Sequence, residues 1–250
     1  MPEKKEPNKR YFKGALLRRV QVIYQDHDLI VMNKPAGMLT VPIPKMQSLN
    51  LLEHLKQELA KTREQAITVH RIDRYTSGLV VFAKNSKAHK NLVKQFLAHT
   101  PVRTYLALVR GNVKNDSGTL EHYLKKVDKG FRNVVVRGEK EGGALARLHY
   151  KVIERFPDTT LVHINLDTGL KNQIRVQFET IGHPMVGDRH YHSREADEPR
   201  IDRQALHALE LSFDHPTTGD KVMFRAPAPG DIQNLINFYR KNRRNTGVIP

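Results

Sequence analysis

Nine consecutive residues, His70-Arg71-Ile72-Asp73-Arg74-Tyr75-Thr76-Ser77-Gly78, put an imidazole, two guanidiniums, a carboxylate, a phenol and two hydroxyls into one polar loop. The apolar run Leu79-Val80-Val81-Phe82-Ala83 follows at once. A carboxylate in a loop that feeds a buried strand stands where nucleophiles and general acids or bases tend to sit. Taken alone, Asp73 could equally cap a turn with Thr76 or Ser77. Two more reactive groups lie further on: Tyr105, in the strand-like Thr104-Tyr105-Leu106-Ala107-Leu108-Val109, and Arg175, early in a short helical stretch. By default a strand tyrosine is half-buried packing and a helix arginine is exposed. A different chemistry is offered by His183, Asp188, His190 and His192, which fall within ten residues and could hold zinc or manganese to activate a water.

The surrounding pattern predicts the elements that hold these groups. Two β-rich runs, Val20-Gln21-Val22-Ile23-Tyr24 and Leu29-Ile30-Val31-Met32-Asn33, flank a turn-prone tetrapeptide and predict a hairpin. Lys34-Pro35-Ala36-Gly37 ends it, because Pro gives no amide to a ladder and Gly permits unusual backbone angles. Ser48 is expected to cap a helix carrying Leu49, Leu52, Leu55 and Leu59. Ser86 is expected to cap another carrying Leu92, Val93, Phe96 and Leu97, and both stripes predict core. Residues 104–109, 133–136, 148–153, 161–166 and 209–213 read as strands, and 173–180 as a helix stopped by Gly182 and Pro184. Asp231 caps a last helix with Ile232, Leu235, Ile236 and Tyr239 on one face. Strands outnumber helices without regular interleaving, which predicts an α+β fold with a mixed, largely antiparallel sheet flanked by helices.

Composition narrows the function. The 250 residues are 39% hydrophobic and 27% charged, with no apolar run near the roughly 18 residues that span a bilayer. Cysteine is absent, which excludes disulfides, thiol nucleophiles and thiolate metal sites. Lys and Arg number 42 against 26 Asp and Glu, and the net charge of +16 makes nucleic acid the leading partner. Residues 1–19 form a basic leader that lacks an apolar segment and carries Glu3 and Glu6. It matches neither a secretory signal nor an acid-poor transit peptide, and a cytoplasmic protein is expected.

The loop at residues 70–78 resembles the signature of the RluA-like pseudouridine synthases, H-R-L-D-x-x-T-S-G, with Ile72 in place of Leu. The resemblance continues in order through Asn33-Lys34-Pro35-Ala36-Gly37, Ala83-Lys84 and Arg103-Thr104-Tyr105-Leu106-Ala107-Leu108-Val109-Arg110-Gly111. Thr168-Gly169-Leu170-Lys171-Asn172-Gln173-Ile174-Arg175-Val176-Gln177, Gly182-His183-Pro184-Met185-Val186-Gly187-Asp188, Leu206-His207-Ala208 and Phe213-Asp214-His215-Pro216 complete it. Where the family reads T-G-R-x-H-Q-I-R-x-H, this chain has Leu170, Asn172 and Gln177, a loss of one cation and two imidazoles that is expected to alter RNA backbone contacts.

The resemblance implies a pseudouridine synthase catalytic fold with a central RNA-binding cleft over residues 20–250; because the matching motifs begin by about Asp28, the separate N-terminal RNA-binding domain that many relatives carry is not expected. It implies an isomerase needing no cofactor or metal, a structured ribosomal or transfer RNA as partner, and a monomer without an obligatory protein partner. Asp73 is implied as the attacking carboxylate. Arg175 would pair with it and lower its pKa. Tyr105 would stack on the uracil and take the proton from C5. Arg71, Thr76, Ile174 and Leu206 are implied as substrate-binding, with Arg71 entering the space vacated by a flipped nucleotide, and His70 as a structural residue that orients the loop. Two other readings stand beside it: a metal-dependent RNA hydrolase on the histidine cluster, and a non-catalytic RNA-binding or ribosome-assembly factor.

Overall fold

A computed structural model describes residues 15–44, 48–60, 62–127, 132–191 and 198–245. Among them eleven strands join in one sheet: β1 (Gln21–Gln25), β2 (Leu29–Lys34), β3 (Ile67–Thr68), β4 (Ser77–Ala83), β5 (Val102–Arg110), β6 (Ser117–Lys126), β7 (Asn133–Val136), β8 (Ala144–Arg155), β9 (Thr159–Leu166), β10 (Leu206–Asp214) and β11 (Lys221–Arg225). The helices are α1 (Leu51–Ala60), α2 (Ser86–Leu97), α3 (Gln173–Thr180) and α4 (Gly230–Asn245). The strand order is β1-β2-β4-β10-β5-β9-β8-β6-β7, with β3 added to β4 and β11 to β10.

The sheet is antiparallel except at one place, where β4 and β10 run parallel for two residue pairs, His207 to Ser77 and Ala208 to Gly78. That junction joins the β1–β4 half of the sheet to the rest, and the last two residues of the signature build it. Gly78 has φ +115°, and a Cβ there would lie 2.2 Å from the Ala208 carbonyl oxygen, so no other residue fits. The Ser77 Oγ is 2.9 Å from His207 Nδ1, whose Nε2 lies 2.9 Å from the Ala226 carbonyl. Burial pulls the His207 pKa down to about 4, which keeps it neutral in this bridge.

Alternation along the strands sorts side chains between two faces. Val80 and Phe82 of β4, with Tyr105, Ala107 and Val109 of β5, share a core with α1, Ile72, Ile174 and Phe178. On the opposite face, Leu79, Val81 and Ala83 pack on Ala88 and Leu92 of α2, and Leu106 and Leu108 pack on Ile232, Leu235, Ile236 and Tyr239 of α4. Both faces are therefore covered, which is why β4 reads as an uninterrupted apolar run rather than an alternating one.

The expected hairpin, the strands at 133–136 and 161–166, the helix at 173–180 and the face of the last helix all form. The caps differ. Asn50, not Ser48, accepts the Glu53 amide, and Asn85, not Ser86, accepts the Ala88 amide, because Asn reaches the third amide of the helix from one residue before it. Strands β6 and β11 were not expected. Each has an exposed face that breaks up its apolar pattern. The α2 stripe is only half core: Leu92 is buried, but Leu97 is 75% exposed and lines a cleft with Val93 and Phe96. Of the expected leader, residues 1–14 lie outside the described residues, and Leu16 and Leu17 pack on the core.

Candidate active site

The cleft lies where the β4–β10 junction, β5, α2 and α3 meet, and encloses about 460 Å³. Its wall contains all seven residues singled out from the sequence: Arg71, Asp73 and Thr76 from the loop before β4, Tyr105 from β5, Ile174 and Arg175 from α3, and Leu206 from β10. The loop keeps its shape through one local bond and several tertiary ones. Thr76 N donates to the Asp73 carbonyl (3.1 Å), Thr40 Oγ1 bonds both the carbonyl and the amide of Ile72, and Arg203 Nη1 donates to the Tyr75 carbonyl (3.2 Å). His70 accepts the Val81 amide on Nε2 and stacks on Phe96 at 4.5 Å, and burial pulls its pKa down to about 3. It anchors the loop as expected of a structural histidine.

Asp73 is surrounded by cations. Burial pushes its pKa up, and Arg175, Arg71, Lys34 and Lys171 oppose that, with burial prevailing. Arg175 acts in the expected direction, but the net shift is upward and not downward, because the carboxylate sits in a pocket that costs it hydration and Arg175 is committed elsewhere. Arg175 approaches Asp73 only to 3.7 Å, while its Nε and Nη2 hold Asp188 at 2.6 and 2.8 Å. The guanidinium also packs on the Tyr191 ring at 4.8 Å and gives Nη1 to Asn172 Oδ1 at 3.0 Å. Arg175 is buried on α3 rather than lying on an exposed polar face. Burial would push the Asp188 carboxyl up, but the Arg175 bonds and the amides of His190 and Tyr191 hold it below the usual range.

Two of the four candidate metal ligands, Asp188 and His183, are thus committed to other partners. Both Asp188 oxygens are engaged, and His183 Nδ1 faces the Arg110 carbonyl at 2.8 Å. His192 lies outside the described residues, and no group of three or more metal-binding side chains forms among the described ones.

The three departures from the family pattern are also clarified. Gln177 is fully buried and donates to the carbonyls of Leu120 and Ala146, joining α3 to β6 and β8, so it cannot touch RNA. Asn172 holds Arg175 and lies 3.3 Å from the Tyr191 hydroxyl. Leu170 packs among Leu124, Ala146, Val176 and Tyr191.

Burial raises the Tyr105 pKa to about 12, with Arg103 acting against the rise and Asp73 with it. The hydroxyl is therefore protonated in the free protein and can take up a proton only while passing on its own. Sequence reasoning missed Lys34, whose Nζ is fully buried and donates to the carbonyls of Pro35, Met38 and Arg74 at 3.0, 2.7 and 3.2 Å. Burial lowers its pKa to about 7 and Asp73 opposes that. Three acceptors hold the protonated form, which ties the Lys-Pro-Ala-Gly turn beneath the Asp73 loop. The lysine in Asn-Lys-Pro-Ala-Gly was the available signal. Two roles were also missed: Asp188, offered by the sequence as a metal ligand, holds Arg175, and Val93, Phe96 and Leu97, expected as core, wall the cleft.

Comparison with known proteins identifies the family. Residues 28–180 match the RNA pseudouridylate synthase family. An uncharacterized RNA pseudouridine synthase of Bacillus subtilis is 39% identical over 228 residues, 89% of this chain and 74% of that protein. The ribosomal large subunit pseudouridine synthase D of Nitrosomonas europaea is 35% identical over 230 residues, 88% of this chain and 65% of that protein. The chain thus spans about two thirds to three quarters of the length of these relatives. The structure of human RNA pseudouridylate synthase domain containing 4 superposes with a TM-score of 0.74 at 21% identity, covering 92% of this chain and 96% of that one, and shows the same fold. Ordered motifs, an acid and a tyrosine lining one cleft, and this match over more than half of the sequence place the chain in the RNA pseudouridylate synthase family, whose members isomerise uridine in RNA.

Proposed function

We propose that this chain converts a uridine of large-subunit ribosomal RNA to pseudouridine, with Asp73 as the attacking carboxylate, and that it acts in the cytoplasm with residues 20–250 as the catalytic unit. The observation that carries the reading is the convergence of Asp73, Tyr105 and Arg175 on one cleft, with Asp73 ringed by four cations in a protein of net charge +16. The ribosomal target rests on the names of relatives such as the Nitrosomonas europaea protein.

The reaction breaks C1′–N1, turns the base over and forms C1′–C5; C5 loses a proton, N1 gains one, and no atom is lost. The cationic rim gathers the RNA backbone. Arg71, exposed at the cleft, fills the gap left by the flipped nucleotide while Thr76, Ile174 and Leu206 receive the base. Asp73 attacks the ribose or the base once ionised. Arg175, held in plane by Asp188, steadies the carboxylate without consuming its lone pairs in a tight bidentate bond. Tyr105 offers a face for the uracil and a hydroxyl near C5 for proton transfer.

The test is tritium release from [5-³H]uridine-labelled ribosomal RNA of a deletion strain, together with a pseudouridine map of that strain and its parent. Release by the parent protein and one missing modification in the deletion strain are expected. Release from transfer RNA alone would reassign the target, and no release from any RNA would leave a binding protein.

A further inference from the structure

We propose that Arg103 is a positioning residue for the reaction: it ties the strand that carries Tyr105 to the turn that leads into the helix of Arg175, and it holds a fixed cation beside the Tyr105 hydroxyl. The inference rests on the function proposed above. Residues 103 and 105 fall on the same face of β5 by strand alternation, and both line the cleft. Arg103 is only 9% exposed, and its Nη2 reaches the carbonyls of Leu166, Asp167 and Thr168 at 3.1, 3.0 and 3.4 Å. Its guanidinium also stands 5.9 Å over the Phe96 ring.

Two neighbours show that the site is built around this side chain. A Cβ on Gly169 would lie 2.8 Å from Arg103 Nη1, and the chain has none there. The anchored turn is coupled directly to α3, because Gln173 Oε1 accepts from Thr168 Oγ1 (2.9 Å) and from the Leu170 amide (3.0 Å). Arg103 therefore sets the distance between the Tyr105 strand and the first turn of the helix that carries Arg175. Its carbonyl partners bear no formal charge, so its positive charge acts on Asp167 and on Tyr105, where it opposes the effect of burial and of Asp73. A cation preorganised beside a hydroxyl that must hand on a proton stabilises the negative charge developing there.

The test uses Arg103→Met, Arg103→Lys and Gly169→Ala, each alone and combined with Tyr105→Phe, on RNA carrying protium or deuterium at uridine C5. Arg103→Met is expected to slow single turnover by about a hundredfold, as a misplaced group does, with RNA affinity changed less than threefold and a larger C5 isotope effect. On the Tyr105→Phe background the same change should cost little, because the two residues act as one unit. Arg103→Lys should restore part of the rate, keeping the charge but not the planar fork. Gly169→Ala should slow turnover by displacing the guanidinium without removing it, and it carries the test with Arg103→Lys if Arg103→Met does not fold. A parental rate, a loss borne wholly by RNA affinity, or additive losses with Tyr105→Phe would overturn the inference. Inactivity of the parent protein would instead overturn the proposed function, and the inference with it.

Discussion

Asp188→Asn tests whether Arg175 is held for Asp73 or by it. The change keeps shape and removes one charge from a pair whose side chains are 6% and 0% exposed. At an effective dielectric of about 20, unit charges 3.7 Å apart interact by about 4.5 kcal/mol, so Asp73 can attract the guanidinium strongly once Asp188 no longer holds it. Breaking a buried ion pair on one side typically costs about 3 to 5 kcal/mol, and for a chain of this size about 2 to 4 °C per kcal/mol gives a Tm fall of roughly 6 to 20 °C. Denaturant titration should show a lower midpoint at unchanged slope. Because the folded Asp188 pKa is depressed, its contribution is fully present above the ordinary carboxylate pKa of about 3.9 and is lost as pH falls through the lower folded value. The deficit of the variant should therefore be constant from neutral to mildly acid pH and shrink only below that range. Arg175 freed from Asp188 should close on Asp73 and slow turnover by an order of magnitude or more, while RNA affinity, set by exposed cations, stays within a few-fold. A variant within about 1 kcal/mol of the parent and fully active would refute the assignment of Asp188 as the clamp.

Asp73→Asn should abolish tritium release with RNA affinity within a few-fold. Since the folded Asp73 pKa is raised, its ionisation costs stability as pH rises through the window between the unfolded and folded values, so Asp73→Asn should melt higher than the parent at neutral pH, and the parent's rate should fall on acidification at a pH above the ordinary carboxylate value. An acid limb at or below about pH 3.9 would contradict this. Tyr105→Phe keeps the ring but loses the hydroxyl, and single turnover should slow by about a hundredfold to ten-thousandfold with nearly unchanged stability. A parental rate would leave proton removal to water or Asp73. Gly78→Ala would put a methyl 2.2 Å from the Ala208 oxygen at φ +115°, and should cost more than the roughly 1 to 3 kcal/mol of backbone strain alone; soluble, fully active protein would show that the β4–β10 junction yields.

What the chain declares along its own length is the set of groups and their local settings. The polar loop before an apolar strand, the Gln-Ile-Arg turn of a helix and a tyrosine in a β-run are readable because spacing and alternation are properties of neighbouring residues. That Asp73, Tyr105 and Arg175 share one wall was legible only through ordered motifs, and the folded chain brings them together from three separate elements. Partners and energies were decided by tertiary packing. Arg175 is bonded to Asp188 from a turn stitched alongside β5, where the Val186 amide donates to the Leu108 carbonyl, and no pattern within α3 announces that partner. Gln177 looks like a lost RNA contact until β6 and β8 close over it. The elevated Asp73 pKa and the neutral Tyr105 phenol arise because the sheet, α2 and α3 together exclude water around them, and desolvation is a property of the assembled cleft that one-dimensional spacing does not contain.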